Sequence, residues 1–186
     1  SVDVLMNMLG THDTPRILTV LAGMPDEGMP NDKKAISKLT SEQRSLAKKR
    51  LTLAICLIMT LPGIPSIYYG DEMLTEGLKD PFNRTFFPWD KEKPQIWYDL
   101  KFLGEMRSKY DCLKKGKFYP VSAAMGCVAY VRASEKDSLL VIANNNDHEI
   151  TYYLPDDWHN SHCITGQRMT YCSVIIEAHT ATIIER

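Results

Sequence analysis

Apolar positions crowd the start of the chain: Val2, Val4, Leu5, Met6, Met8 and Leu9 leave few polar residues between them. A short, nearly continuous apolar run predicts a strand buried on both faces, as in a parallel sheet. Asp13-Thr14 then introduces a short helix reaching Leu21, with Ile17, Leu18 and Leu21 as its apolar face. Gly10 allows a sharp turn before it, and Pro15 suits a first helical turn. Residues 23–32 carry Pro25, Gly28 and Pro30 and read as an irregular loop. Thr40-Ser-Glu-Gln43 has the form of a capping box, opening a helix that runs to about Leu61. Leu46, Arg50, Leu53, Ala54, Leu57, Ile58 and Leu61 give it a buried face that widens toward the carboxyl end. Pro62-Gly-Ile-Pro65 stops the helix, and Ser66-Ile-Tyr-Tyr69 reads as a second short buried strand followed by Gly70-Asp71-Glu72. Strand, helix and strand in that order predict a right-handed crossover unit. His12-Asp13 and Asp71-Glu72 then open at the same, carboxyl-terminal edge of the sheet.

Residues 74–95 have loop composition, rich in charges and aromatics, and a loop of that length is more often functional than decorative. A second amphipathic helix follows over residues 96–109, facing inward with Ile96, Leu100, Leu103, Met106 and Arg107 or Tyr110. From Lys117 the pattern changes to short β-rich segments at residues 127–132, 138–143, 149–154, 171–176 and 181–185. Asn144-Asn-Asn-Asp147 and Pro155-Asp-Asp157 serve as turns. The division expected is an α/β part over residues 1–113 and an antiparallel β-sandwich over residues 114–186.

Length and charge narrow the function classes. The chain has 186 residues, 22 Lys plus Arg against 23 Asp plus Glu, and a formal net charge of −1. That balance points to neither nucleic acid nor an anionic membrane surface. The apolar stretch at residues 51–61 is too short to span a bilayer and ends in helix breakers. Five cysteines with irregular spacing make no disulfide framework and favour a reducing compartment such as the cytoplasm. The chain opens in strand-like sequence with neither an initiator Met nor a leader pattern, and reads as a piece of a longer protein.

Three constellations carry candidate chemistry. The first is His12-Asp13 at a strand end, which by itself is equally a turn plus a helix cap. The second is Asp80 with Arg84, by physics alone a surface ion pair worth roughly 0–1 kcal/mol. The third is His159, His162, Cys163 and Cys172. Those types suit zinc, but their spacing is no standard ligand pattern, and no metal is expected. No carboxylate cluster with a calcium-loop pattern is present either.

Four segments, in order, resemble the α-amylase family of glycoside hydrolases, and within it the neopullulanase and cyclomaltodextrinase group. Asn7-Met-Leu-Gly-Thr-His12-Asp13 with Thr14-Pro-Arg16 looks like the region after the family's seventh barrel strand. Leu61-Pro-Gly-Ile-Pro-Ser-Ile-Tyr-Tyr-Gly-Asp-Glu72 looks like its eighth strand, and Asp80-Pro-Phe-Asn-Arg84 with Phe87-Pro-Trp89 like the loop after it. Cys112-Leu-Lys-Lys-Gly-Lys-Phe118 resembles the join into the small β-domain. Thr85 and Phe86 depart from the family's basic residue and Pro, which bears on the loop's shape.

The resemblance implies the last strands and helices of a (β/α)8 TIM barrel, then an all-β sandwich. It implies a retaining enzyme acting on α-glucans or maltooligosaccharides, with no organic cofactor. Calcium and a homodimeric parent stay open. Asp13 would be the transition-state stabiliser and His12 a donor to the same sugar, while Asp80 and Arg84 would hold sugars toward the non-reducing end. Asp71 and Glu72 would organise the barrel mouth, and Trp89 would anchor the long loop as a buried residue. The family's nucleophilic Asp and proton-donor Glu have no counterpart here, and a full barrel needs about 250 residues. Taken alone, the chain is expected to be inactive. The alternatives are a non-catalytic carbohydrate- or partner-binding protein that keeps part of the barrel, and a separate starch-binding β-module.

Overall fold

The computed structural model describes residues 4–186; Val2 and Asp3, part of the first expected strand, lie outside the described residues. Two compact units emerge. One comprises Met6–Ile58 and Pro65–Phe102, the other Val4 and Leu5 together with Met59–Ile64 and Leu103–Arg186.

Strands β1 (Met6–Met8) and β2 (Ile64–Ser66) form a two-stranded sheet. The expected burial of the first strand is corrected: Met6 and Met8 are exposed, because β2 is the strand's sole sheet partner among the described residues. The second strand is also displaced. It ends at Ser66, and Tyr68 and Tyr69 leave the ladder to enclose the guanidinium of Arg16. Helix α1 (Ile17–Leu21) starts later than expected, and a short helix α2 (Asn31–Ile36) follows the loop.

Helix α3 (Ser41–Thr60) begins at the expected box. Gln43 N–H donates to Thr40 Oγ1 at 3.2 Å, and Thr40 N–H donates to Gln43 Oε1 at 3.0 Å. Each bond satisfies a donor that the first helical turn leaves without a carbonyl. Thr40→Ala is therefore expected to cost about 1 kcal/mol, measured by chemical denaturation. No loss at all would mean that the exposed box contributes nothing. The expected buried face of α3 is met in part: Leu53 and Ile58 are buried and Leu46 is exposed, while Ala47, Leu51 and Ile55 are buried beside them. No helix among the described residues is long and apolar enough to cross a membrane.

Helix α4 (Gln95–Lys109) buries Ile96, Leu103 and Met106 as its spacing requires. In the second unit, α4 and the β-strands finish what α3 leaves open. The last carbonyls of a helix lack internal partners, and α3 has no basic residue in its last turn. Arg107 Nη1 donates to Met59 O at 2.9 Å, and its Nη2 donates to Gly63 O. Fully buried Arg132 donates to Thr60 O at 2.6 Å and to Gly116 O at 3.1 Å. Two cations at a helix carboxyl end also oppose its partial negative charge.

After α5 (Asp111–Lys115) the chain builds a five-stranded antiparallel sheet in the order β3-β4-β5-β9-β7. These strands are β3 (Lys117–Ala124), β4 (Cys127–Ala133), β5 (Ser138–Asn144), β7 (His162–Cys163) and β9 (Thr180–Glu185). A second, two-stranded sheet pairs β6 (Ile150–Tyr153) with β8 (Ser173–Ile176). Leu140, Ile142 and Ile184 of the first sheet share a core with Val174 and Ile176 of the second and with Trp158. Two apolar sheet faces burying each other make a sandwich. Strand β3 was not expected as an element. It is exposed throughout, carries Pro120 and bulges beside it, as suits an edge strand.

Candidate active site

The site grows from a turn. Thr11 N–H donates to Thr14 Oγ1 at 3.0 Å, and Asp13 N–H donates to Thr11 Oγ1 at 3.2 Å. Two threonine side chains thus bend the backbone, a role expected of Gly10, whose φ is not in the left-handed range. The turn projects His12 and Asp13 outward, with side chains 61% and 71% exposed. Helix α1 waits until Ile17 because Arg16 keeps extended backbone (ψ 134°) as its N-cap, with its N–H given to Gly77 O at 2.8 Å.

The four residues singled out in the sequence meet here. His12 Nε2 lies 3.2 Å from Asp13 Oδ2, and Arg84 Nη2 lies 3.7 Å from Asp13 Oδ1. Arg84 Nε contacts Asp80 Oδ1 at 2.7 Å. One guanidinium thus faces two carboxylates, leaving exposed acceptors and donors side by side, the pattern a polyhydroxylated ligand requires. The loop that carries Arg84 is tied down: Tyr69 Oη–H donates to Thr85 O at 2.8 Å, and Phe87 packs on Trp89 at 4.5 Å. Trp89 itself is 86% exposed, so the buried-anchor expectation is corrected: its ring meets Phe87 at the surface instead.

Beneath the exposed groups lies a buried charge centre, of which sequence reading singled out Asp71 as a structural residue and missed Arg16. Arg16 is 1% exposed, its Nη1 lies 3.6 Å from Asp71 Oδ1, and it donates to Tyr69 O. The rings of Tyr68 and Tyr69 lie 4.4 Å and 4.6 Å from its guanidinium carbon. Burial pushes the Asp71 carboxyl up to about 7; the pull of Arg16 acts against that rise and neighbouring Glu72 adds to it. An arginine beside the apolar Ile17-Leu18 pair was the signal available in the sequence. Asn83 was missed too, and it is fully buried. Its Nδ2 donates to His12 O at 2.8 Å and to Thr14 O at 2.7 Å. The formal glycosylation sequon at Asn83 therefore has its amide nitrogen engaged inside the fold.

The third constellation disperses. His159 Nε2 lies 3.2 Å from Leu154 O, Cys163 Sγ lies 3.4 Å from Gln167 Oε1, and Cys172 is exposed. Among the described residues, no group of three or more His, Cys, Asp or Glu side chains converges as a metal set.

No family model matches the chain. An amylopullulanase from Thermoanaerobacter thermohydrosulfuricus is 43% identical over 111 residues, which is 60% of this chain and 7% of that protein. A cyclomaltodextrinase from Thermoanaerobacter pseudethanolicus is 31% identical over 153 residues, 81% of this chain and 23% of the relative. The chain thus spans less than a quarter of either relative. Among solved structures, the type III pullulan hydrolase from Thermococcus kodakarensis superposes with a TM-score of 0.75 at 26% identity, over 97% of this chain and 28% of that one. The fold of this chain is therefore the closing part of a (β/α)8 barrel followed by an antiparallel β-sandwich, and the chain belongs to the α-amylase family of glycoside hydrolases, where it resembles the carboxyl-terminal part of neopullulanase-like members.

Proposed function

We propose that the chain is part of a retaining glycoside hydrolase that cleaves α-glucosidic bonds of starch-type glucans or maltooligosaccharides. The observation that supports this reading most is the meeting of His12, Asp13, Arg84 and Asp80 on one exposed edge. Relatives named amylopullulanase and cyclomaltodextrinase point the same way.

Retaining glycosidases need two carboxyl groups flanking the bond, one as nucleophile and one as acid, and pass through an oxocarbenium-like transition state. Asp13 performs neither task in this reading. It accepts hydrogen bonds from two ring hydroxyls of the sugar at the cleavage point. Those bonds strengthen as the ring flattens and so favour the transition state over bound substrate. His12 donates to a hydroxyl of the same sugar. Arg84, held by Asp80, addresses the sugar beyond it. The nucleophile and the acid are assigned to segments that precede this chain in the full-length protein.

The coding sequence upstream of Ser1 tests the proposal. An in-frame stretch with further strand–helix units, a strand-end Asp and then a strand-end Glu is the expected result. An upstream stretch lacking both carboxylates would overturn the enzyme and leave a carbohydrate- or partner-binding protein. The 186-residue chain by itself is expected to give no turnover of maltooligosaccharides. Turnover that Asp13→Asn abolishes would show that the chain carries its own nucleophile and acid.

A further inference from the structure

We propose that Asn83 is the positioning residue of this site: its carboxamide straps the loop bearing Asp80 and Arg84 to the backbone on both sides of Asp13. The inference rests on the reading of Asp13 given above.

Asn83 spends both amide protons on two carbonyls separated by a single residue, His12 O at 2.8 Å and Thr14 O at 2.7 Å. The residue between them is Asp13. The amide orientation is fixed by chemistry, because a flipped carboxamide would aim its oxygen at two carbonyl oxygens. The side chain is fully buried, so it touches no ligand, and its Oδ1 has no protein partner. A second tie comes from Gly77. A Cβ there would sit 2.2 Å from Phe82 O, so the segment before Asn83 rests directly on the Gly77 backbone. Gly77 in turn accepts from Arg16 N–H at 2.8 Å and donates to Thr19 Oγ1 at 3.0 Å. The loop is therefore fastened to the turn in front of α1 and to the start of α1 itself.

Asp13 makes its side-chain contacts with two other exposed groups, His12 and Arg84. Exposed ion pairs hold position weakly. The backbone must then place the Asp13 carboxylate, and Asn83 grips that backbone. Arg84 follows Asn83 directly in sequence, so one buried amide sets both the Asp13 carboxylate and the guanidinium facing it.

The test is a double-mutant cycle in the full-length enzyme with a maltooligosaccharide substrate, using Asn83→Ala, Asp13→Asn and the pair. Displacement of a catalytic group by about 1 Å costs about 100-fold in rate, so Asn83→Ala is expected to lower kcat by that order with a smaller change in KM. In the Asp13→Asn background it is expected to cost nothing further, because the group it positions is already disabled. Losses that multiply, or a near-normal Asn83→Ala enzyme beside a crippled Asp13→Asn enzyme, would overturn the role of Asn83 and leave that of Asp13 standing. A near-normal Asp13→Asn enzyme would instead remove the reading on which the inference rests. Asn83→Ser, smaller in its perturbation, serves where Asn83→Ala does not fold. Hydrogen exchange in the full-length protein supplies a readout independent of activity. The peptide spanning residues 10–16 is expected to exchange faster in either variant, and unchanged protection there would overturn the strap.

Discussion

Asp13→Asn in the full-length enzyme is expected to lower kcat by roughly three orders of magnitude while leaving the fold nearly as stable as before. The change is isosteric and removes one negative charge. Its side chain is 71% exposed and its protein partners are His12 at 3.2 Å and Arg84 at 3.7 Å. Exposed ion pairs contribute roughly 0–1 kcal/mol, so unfolding should move by no more than that. The effect on rate is larger because the proposed bonds to sugar hydroxyls gain strength only as the ring approaches the oxocarbenium geometry. A group that bound substrate and transition state equally would raise KM and spare kcat. Steady-state kinetics together with a denaturation curve separate the two. A near-normal kcat, or an unfolded variant, would remove Asp13 from the role assigned to it.

The parts of the fold that were legible depend on residues close together in sequence. The box at Thr40 and Gln43 needs only a three-residue spacing, and it formed as read. Short β-rich runs between turn residues placed β4, β5, β6, β8 and β9 to within a few residues, because each sets apolar side chains on the sandwich core. Strand β3 escaped because an edge strand exposed along its length has no alternation to detect. The second strand was misplaced for a long-range reason: Tyr68 and Tyr69 are drawn off by Arg16, some 53 residues earlier. On α3, Leu53 and Ile58 are buried as read, but Leu46 is exposed and the buried Leu51 and Ile55 went unnamed, since leucine marks apolarity but not which side meets a partner. At the site, His12 and Asp13 stood out as a motif, whereas Asn83 acts on backbone carbonyls 69 and 71 residues away. A side chain that recognises backbone leaves no complementary residue in the sequence to reveal it.

Arg16→Met is expected to destabilise the fold by about 3–5 kcal/mol at pH 8, because it removes a buried cation with its contacts to the Tyr68 and Tyr69 rings and the Tyr69 carbonyl and leaves the buried Asp71 carboxyl to take up a proton. The loss should shrink by about 1 kcal/mol toward pH 5, and the sign follows from linkage. Burial already holds the Asp71 carboxyl at about 7, far above the unfolded value of about 3.9. The folded state therefore binds this proton more tightly, and the group's contribution to stability falls as pH rises from about 4 through 7. Arg16 acts against that rise. Removing it drives the folded pKa further up, so the variant's stability keeps falling over a wider range of pH than the parent's. At pH 5 Asp71 is neutral in both folds, and the variant lacks only the contacts with Tyr68, Tyr69 and the Tyr69 carbonyl. The double variant Arg16→Met with Asp71→Leu should recover the pH-dependent part of the loss at pH 8, about 1 kcal/mol, since no carboxyl is then left at that position. Urea denaturation of the single and double variants at the two pH values is the measurement. An equal loss at pH 5 and pH 8, or a double variant no better than the single one, would show that Arg16 stabilises through packing alone.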